Sequence, residues 1–448
     1  MFKSKNILKF LILFICICFL KANGNDNYVI IVSFDGFRYD YINFVDTPNF
    51  DYLKKNGIKA KSLKPIFPTL TFPNHYSIAT GCYSEKHGII GNEFYDVSKN
   101  TLYTYTDSNT VRNGIWYLSE PIWVTANKNN ISTAIYHWVG SEAEIMGYRP
   151  NIYKKYKNGI NSYSKVDSAM KWLNLPEIER PKLIMLYFNE PDHTGHIYGP
   201  LADETLTEVQ GADNILGYLI KSINRLNIKN NINLIVVSDH GMSSVSKENL
   251  INLDNYINKD ILRIEGKGTM VKLRFEDDLI FSQCGEEFSR STVLMNSGRL
   301  SIDTYTHNKY NELREKWNDC TNSLKVNGLS ANYLNHITLY DRYSIPQRLH
   351  FNNYNSPDFL LVAEEGYLMY NKESLADSYF DLKGMHGYDP DNINMHGIFF
   401  AYGPSFKENI IIDTFELIHI YPLLCKILNI ESHSNIDGDI NILKSIIN

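Results

Sequence analysis

Short apolar runs of two different periods organise the chain. Tyr28–Phe34 (Y-V-I-I-V-S-F), Lys182–Phe188 (K-L-I-M-L-Y-F) and Ile232–Val237 (I-N-L-I-V-V) are continuous and rich in β-branched or bulky residues. They lack the polar-apolar alternation of a half-exposed strand, so each is expected to be a strand buried on both faces. Asp203–Asn227 has the helical period, with Leu206, Val209, Ala212, Leu216, Leu219, Ile223 and Leu226 on one face. That stretch predicts an amphipathic crossover helix between the second and third strands. Behind the first strand, Thr47-Pro48, then Phe50 and Leu53, then Asn56-Gly57 mark a capped helix and complete a β-α step. The alternation predicts an α/β fold with a largely parallel central sheet and helices on both faces.

The carboxyl ends of parallel strands share one edge, and ligands of α/β proteins bind there. The three runs lead into Asp35, Asp192 and Asp239, so three acids are expected to converge. His196 follows Asp192 by one helical turn, His240 follows Asp239 directly, and His386 in G-M-H-G-Y-D-P is a further candidate. Asp and His without Cys suit Zn²⁺ or a similar divalent ion, whereas the acids alone would suit Mg²⁺ less selectively.

Thr71 adds a nucleophile. Pro73 is tolerated in a first helical turn and Gly81 suits a helix C-terminus, so the segment between them predicts a helix that begins at Thr71. Free N–H groups and the positive end of the helix dipole would meet a phosphate there and favour a threonine alkoxide.

Composition changes the picture in three ways. Met1–Gly24 carries Lys3, Lys5 and Lys9, an apolar run Phe10–Leu20 and small residues at Ala22 and Gly24, the pattern of a cleaved export signal. The run is short for a membrane span and no later stretch approaches about 18 uninterrupted apolar residues, so the mature protein is expected to be secreted, or periplasmic in a bacterial host. Removing four Lys and no acid with that leader takes the formal net charge from -6 to -10, which argues against nucleic-acid binding as the main role. Cys82, Cys284, Cys320 and Cys425 remain and can form up to two disulfides, in any of three connectivities. Asn130-Ile131-Ser132 is a glycosylation sequon, usable in a eukaryotic host.

The phrases V-S-F-D-G-F-R, P-T-L-T-F-P-N-H-Y, H-G-I-I-G-N, E-P-I-W-V-T-A, N-E-P-D-H-T-G-H-I-Y-G-P, S-D-H-G-M, P-Q-R-L-H-F and H-G-Y-D occur in this order. In them the chain resembles the ectonucleotide pyrophosphatase/phosphodiesterase family of the alkaline phosphatase superfamily, from about Tyr28 to the final helix at Phe415. The resemblance implies that Thr71 is the nucleophile and that Asn92, with the Phe72 backbone N–H, stabilises the phosphate oxyanion. It further implies two zinc ions per chain, one held by Asp192, His196 and His386, the other by Asp35, Asp239, His240 and the Thr71 oxygen. Phe72 and Tyr156 correspond to the aromatic pair that holds a nucleobase, and Tyr187 is expected at the substrate as well. Leu70 and Glu93 stand where several members carry Lys, which weakens the expected grip on a polyphosphate tail.

The expected activity is hydrolysis of nucleotide pyrophosphate or phosphodiester bonds through a covalent threonine-linked intermediate. A glycerophosphodiester or lysophospholipid headgroup is the alternative substrate, and an inactive secreted binding protein the remote one. Residues 25–448 are expected to form one catalytic domain of a single-module member, with a small lobe inserted within about 245–380. In that lobe Thr269–Phe275 predicts a strand and Asn308–Asp319 a helix. Asp389-Pro-Asp-Asn lacks the spacing and terminal Glu of a calcium loop and is expected to be a plain loop.

Overall fold

The first apolar run lies between the other two: Tyr28–Phe34 pairs in parallel with Leu183–Phe188 on one side and Ile232–Val237 on the other. The computed structural model describes residues 27–275, 335–373 and 381–448. The leader, Cys284, Cys320 and the helix expected over Asn308–Asp319 lie outside the described residues. The central sheet has eight strands in the order Ile410–Ile412, Ile58–Ala60, Phe399–Tyr402, Ile232–Val237, Tyr28–Phe34, Leu183–Phe188, Thr133–Tyr136, Ile152–Lys154. Phe399–Tyr402 alone runs against its neighbours. The fold is therefore α/β with a mixed, mostly parallel sheet.

Because the strand period is two, successive residues of the first strand feed two cores. Val29 and Ile31 join one, built with the helices Thr71–Thr80, Ile122–Lys128 and Ile420–Leu428. Ile30, Val32 and Phe34 join the other, under Pro48–Asn56, Ser162–Leu173 and Asp203–Ile223. The predicted crossover helix buries Val209, Ala212, Leu216 and Leu219 as its spacing required and ends at Ile223, with Asn224 as its cap.

Asp192 departs from its expected place. The second strand stops at Phe188, and Asp192 is instead the first residue of a short helix, Asp192–Tyr198. Its backbone N–H returns to Asp35 O at 3.1 Å, so the turn through Pro191 carries the acid back over the end of the first strand. Gly36, at φ +65°, makes this approach possible, since a Cβ there would meet Asp192 Cβ at 2.8 Å.

The helix Pro48–Asn56 is capped in an unexpected way. Thr47 makes no side-chain capping bond. Asp213, from the crossover helix, instead accepts from the N–H groups of Asn49 at 3.0 Å and Phe50 at 2.9 Å and from Asn49 Nδ2 at 2.7 Å. Asp213→Ala is expected to destabilise the protein by about 1–3 kcal/mol, because it strands buried donors. A lower urea midpoint would register the loss, whereas an unchanged midpoint would mean that water replaces the carboxylate.

A second sheet, antiparallel and four-stranded in the order Leu262–Glu265, Met270–Phe275, Phe359–Ala363, Ile337–Asp341, has its own core of Leu262, Val271, Leu273, Phe359 and Leu361. Cys82 and Cys425 are unbonded buried thiols, so the expected disulfide pairing does not extend to them. Burial pushes the Cys425 thiol up to about 12. Among the described residues no helix is long and apolar enough to cross a membrane.

Candidate metal centre

The helix Thr71–Thr80 starts after an extended Leu70 and ends at Gly81, whose φ is +67°. Thr71 is therefore the first helical residue, and its Oγ1 lies 3.3 Å from His240 Nε2. Asn92 faces the same point. Its Oδ1 accepts the Phe72 N–H at 3.0 Å, which fixes the amide and leaves its NH₂ group as the donor available to a ligand. The Phe72 N–H expected at an oxyanion is thus engaged with Asn92 instead.

Beside Thr71 the structure gathers two groups of side chains, Asp35 with Asp239 and His240, and Asp192 with His196 and His386. Within each group the candidate ligand atoms all lie within 4.8 Å of one another. His240 Nε2 is 3.2 Å from Asp239 Oδ2 and 3.4 Å from Asp35 Oδ1. Asp192 is 3.4 Å from His196 Nε2 through Oδ2 and 3.6 Å from His386 Nε2 through Oδ1. Donors about 2.0–2.1 Å from a tetrahedral zinc stand about 3.3–3.4 Å from each other, so these spacings suit a shared cation.

Two further observations fit a metal. Asp35 Oδ1, Asp192 Oδ1 and Asp239 Oδ2 are buried without a hydrogen-bond donor, an arrangement that needs another source of positive charge. Each histidine also has its Nδ1 on a backbone carbonyl: His196 on Gly384 at 2.9 Å, His240 on Gly241 at 2.9 Å, His386 on Thr69 at 2.8 Å. That outer bond sets the tautomer and aims Nε2 at the centre.

The electrostatics follow from burial and mutual charge. Burial, then the charges of neighbouring carboxylates, raises Asp35 and Asp239 well above the usual carboxylate range. Burial also raises Asp192, but His196 and His386 outweigh it and hold this acid low. Burial lowers His386 to about 4, whereas Asp192 overcomes burial at His196 and lifts it to about 9. A divalent ion would favour the ionised acids and neutral imidazoles together.

Tyr187 lines the cavity, and its hydroxyl donates to Asp35 Oδ2 at 2.5 Å, so it holds one of the candidate ligand carboxylates in place. His75 was missed by sequence reasoning. Its Nε2 meets Ser33 Oγ at 2.9 Å, while its Nδ1 lies 3.0 Å from Thr71 O and 3.2 Å from Asp239 Oδ2. The available signal was its position one turn after Thr71 on the same helix.

From Thr71 the site opens into a cavity of about 430 Å³ lined also by Phe72, Asn92, Tyr105, Trp138 and Tyr156. Phe72 packs edge-on against Tyr105, with centroids 5.7 Å apart. Tyr156 is half exposed; its ring lies 4.9 Å from His137, and Glu142 Oε1 accepts its backbone N–H at 2.6 Å. Phe72 and Tyr156 therefore share one cavity, and Tyr105, His137 and Glu142 complete a wall that periodicity could not reveal.

Residues 29–389 match the family model described as type I phosphodiesterase / nucleotide pyrophosphatase. The chain belongs to this family. Among its relatives is a venom phosphodiesterase of Naja atra, 34% identical over 411 residues, which cover 91% of this chain and 45% of that protein. Human ectonucleotide pyrophosphatase/phosphodiesterase family member 1 is 33% identical over 412 residues, 91% of this chain and 40% of that one. The chain thus spans about half the length of the curated relatives it matches. Murine ectonucleotide pyrophosphatase/phosphodiesterase 5, solved as an inactive threonine-to-alanine form in complex with AMP, superposes with a TM-score of 0.79 at 28% identity, covering 94% of this chain and 100% of that one.

Proposed function

We propose that this family member is an exported two-zinc phosphodiesterase that cleaves nucleotide pyrophosphate or phosphodiester bonds through a threonine-linked intermediate. The observation that carries the reading is the meeting of Thr71, Asn92 and both ligand groups at one end of an aromatic-lined cavity. Asp192, His196 and His386 would hold one ion, and Asp35, Asp239 and His240, with Thr71, the other. Bound divalent ions supply Lewis acidity, lowering the pKa of the hydroxyl and neutralising phosphate charge. Thr71 Oγ1 forms the new bond to phosphorus while the bond to the leaving oxygen breaks, and water then hydrolyses the threonine ester. The Asn92 NH₂ group donates to a non-bridging oxygen as charge develops on it. The leader and the relatives named for venom and ecto-enzymes support export, and residues 25–448 serve as one catalytic domain with an inserted lobe.

A nucleotide is the favoured substrate because the AMP complex of the murine relative and the shared cavity of Phe72 and Tyr156 point the same way. Stacking on such rings is worth about 1–3 kcal/mol per base and suits every base, so broad nucleobase tolerance is expected. Diesters should exceed monoesters in kcat/KM by orders of magnitude. Tyr156→Ala should raise KM for a nitrophenyl nucleotide more than for bis-nitrophenyl phosphate. Equal loss on both substrates, or a preference for monoesters, would remove the base clamp and put a glycerophosphodiester headgroup in its place.

A further inference from the structure

We propose that His75 is a positioning residue of this centre, whose Nδ1–H end holds the nucleophile's residue and the ligand Asp239 in one frame. This rests on the two-metal reading and assigns an outer residue to one of its two ion sites.

His75 lies one turn after Thr71 on the helix Thr71–Thr80 and is fully buried. Its imidazole spans from that helix to the ends of two central strands. Thr71 O, 3.0 Å from Nδ1, can only accept a hydrogen bond, so Nδ1 carries the proton. In the neutral imidazole Nε2 then accepts from the hydroxyl of Ser33 at 2.9 Å, two residues before Asp35 on the first strand. Nδ1 also lies 3.2 Å from Asp239 Oδ2, yet that oxygen takes no hydrogen bond. The contact therefore sets where the carboxylate stands without using the lone pair that an ion would take. Asp239 Oδ1 is held separately, by the Gly36 N–H at 3.2 Å.

The ring is also held from its sides. It packs edge-on against Trp138 and Tyr187, with centroids 5.0 and 5.1 Å apart, and the Trp138 indole N–H donates to His75 O at 2.9 Å. These contacts lead to Asp239 directly and to Asp35 through Tyr187, both in the group that contains His240. None of them leads to Asp192, His196 or His386. Loss of the Nδ1 donor should therefore be felt at Thr71 and at one ion site of the two. An outer partner of a metal ligand is worth about 10- to 100-fold in metal affinity or activity.

Three variants separate the donor at Nδ1 from the bulk of the ring. His75→Asn can place an amide nitrogen where Nδ1 stands, and this chain already uses that geometry: Asn74 Nδ2 donates to Leu70 O at 2.8 Å and Asn129 Nδ2 to Thr125 O at 2.9 Å, each four residues back. His75→Gln carries its amide out to the Nε2 position, and His75→Leu fills space with no donor at all. At saturating zinc, His75→Gln and His75→Leu should lower kcat and kcat/KM alike by about 10- to 100-fold. Independent of turnover, zinc titration of their apoproteins should show one of two sites weakened by a similar factor. His75→Asn should recover most of both losses, although it fills less of the ring's space. Far-UV circular dichroism of the apoproteins checks the fold, and the Asn and Gln forms decide the matter even where the Leu form fails to fold. His75→Asn no better than His75→Gln, or native kcat and zinc affinity in the Gln and Leu forms, would overturn the positioning role alone. Native protein that binds no zinc and cleaves no diester would overturn the two-metal reading and this inference with it.

Discussion

Thr71→Ala is expected to lower turnover of a nucleotide diester by at least about 1,000-fold, the scale on which loss of a nucleophile is felt. The fold should survive. The helix takes its start from Leu70 and its end from Gly81, and the Thr71 side chain makes a single polar contact, the 3.3 Å approach to His240. The paired measurements are steady-state rate and melting temperature, with acid quench of the native enzyme to trap the phosphothreonine. A near-native rate in the variant would mean that water attacks directly or that another residue does. Asn92→Ala should cost roughly 100- to 1,000-fold, the usual effect of losing one oxyanion donor. Asn92→Asp is the sharper comparison, because it can keep the bond from the Phe72 N–H while losing the NH₂ donor and adding a negative charge beside the phosphate.

Stripping metal is expected to abolish activity and to lower the melting temperature together. Three buried carboxylate oxygens lack a donor, and burial and like charge already drive Asp35 and Asp239 towards their neutral forms in the bare protein. A ligand that binds only the folded state at 100 times its Kd contributes about 2.7 kcal/mol, so two occupied sites would dominate the stability of this edge of the sheet. Elemental analysis of the native protein should give close to two zinc per chain. His386→Ala should reduce that to one, since it dismantles the group that contains Asp192 and His196 and leaves the other untouched. Full activity or an unchanged melting temperature after chelation would overturn the two-metal reading.

Local pattern carried much of this site. Continuous apolar runs identified the three central strands, and helical spacing identified the crossover, because burial on two faces or on one stripe leaves a periodic trace in composition. Asp35 and Asp239 could be assigned to one edge because they follow parallel strands, and Asp192 with His196 because they are one turn apart. Four long-range decisions left no such trace. Asp192 reaches the site through a turn that ties its N–H to Asp35 O, rather than from a strand end. Asp213 caps a helix 164 positions away in place of Thr47. The Phe72 N–H is satisfied by Asn92, and Tyr187 by Asp35, 152 positions away. A hydrogen bond between distant segments depends on where the backbone brings two groups, and neither residue's neighbours in sequence record it. The sequence by itself therefore determined the elements and the supply of acids, histidines and nucleophile, while only the packed chain decided which lone pair faces which donor, and so which groups are left over for a metal and a phosphate.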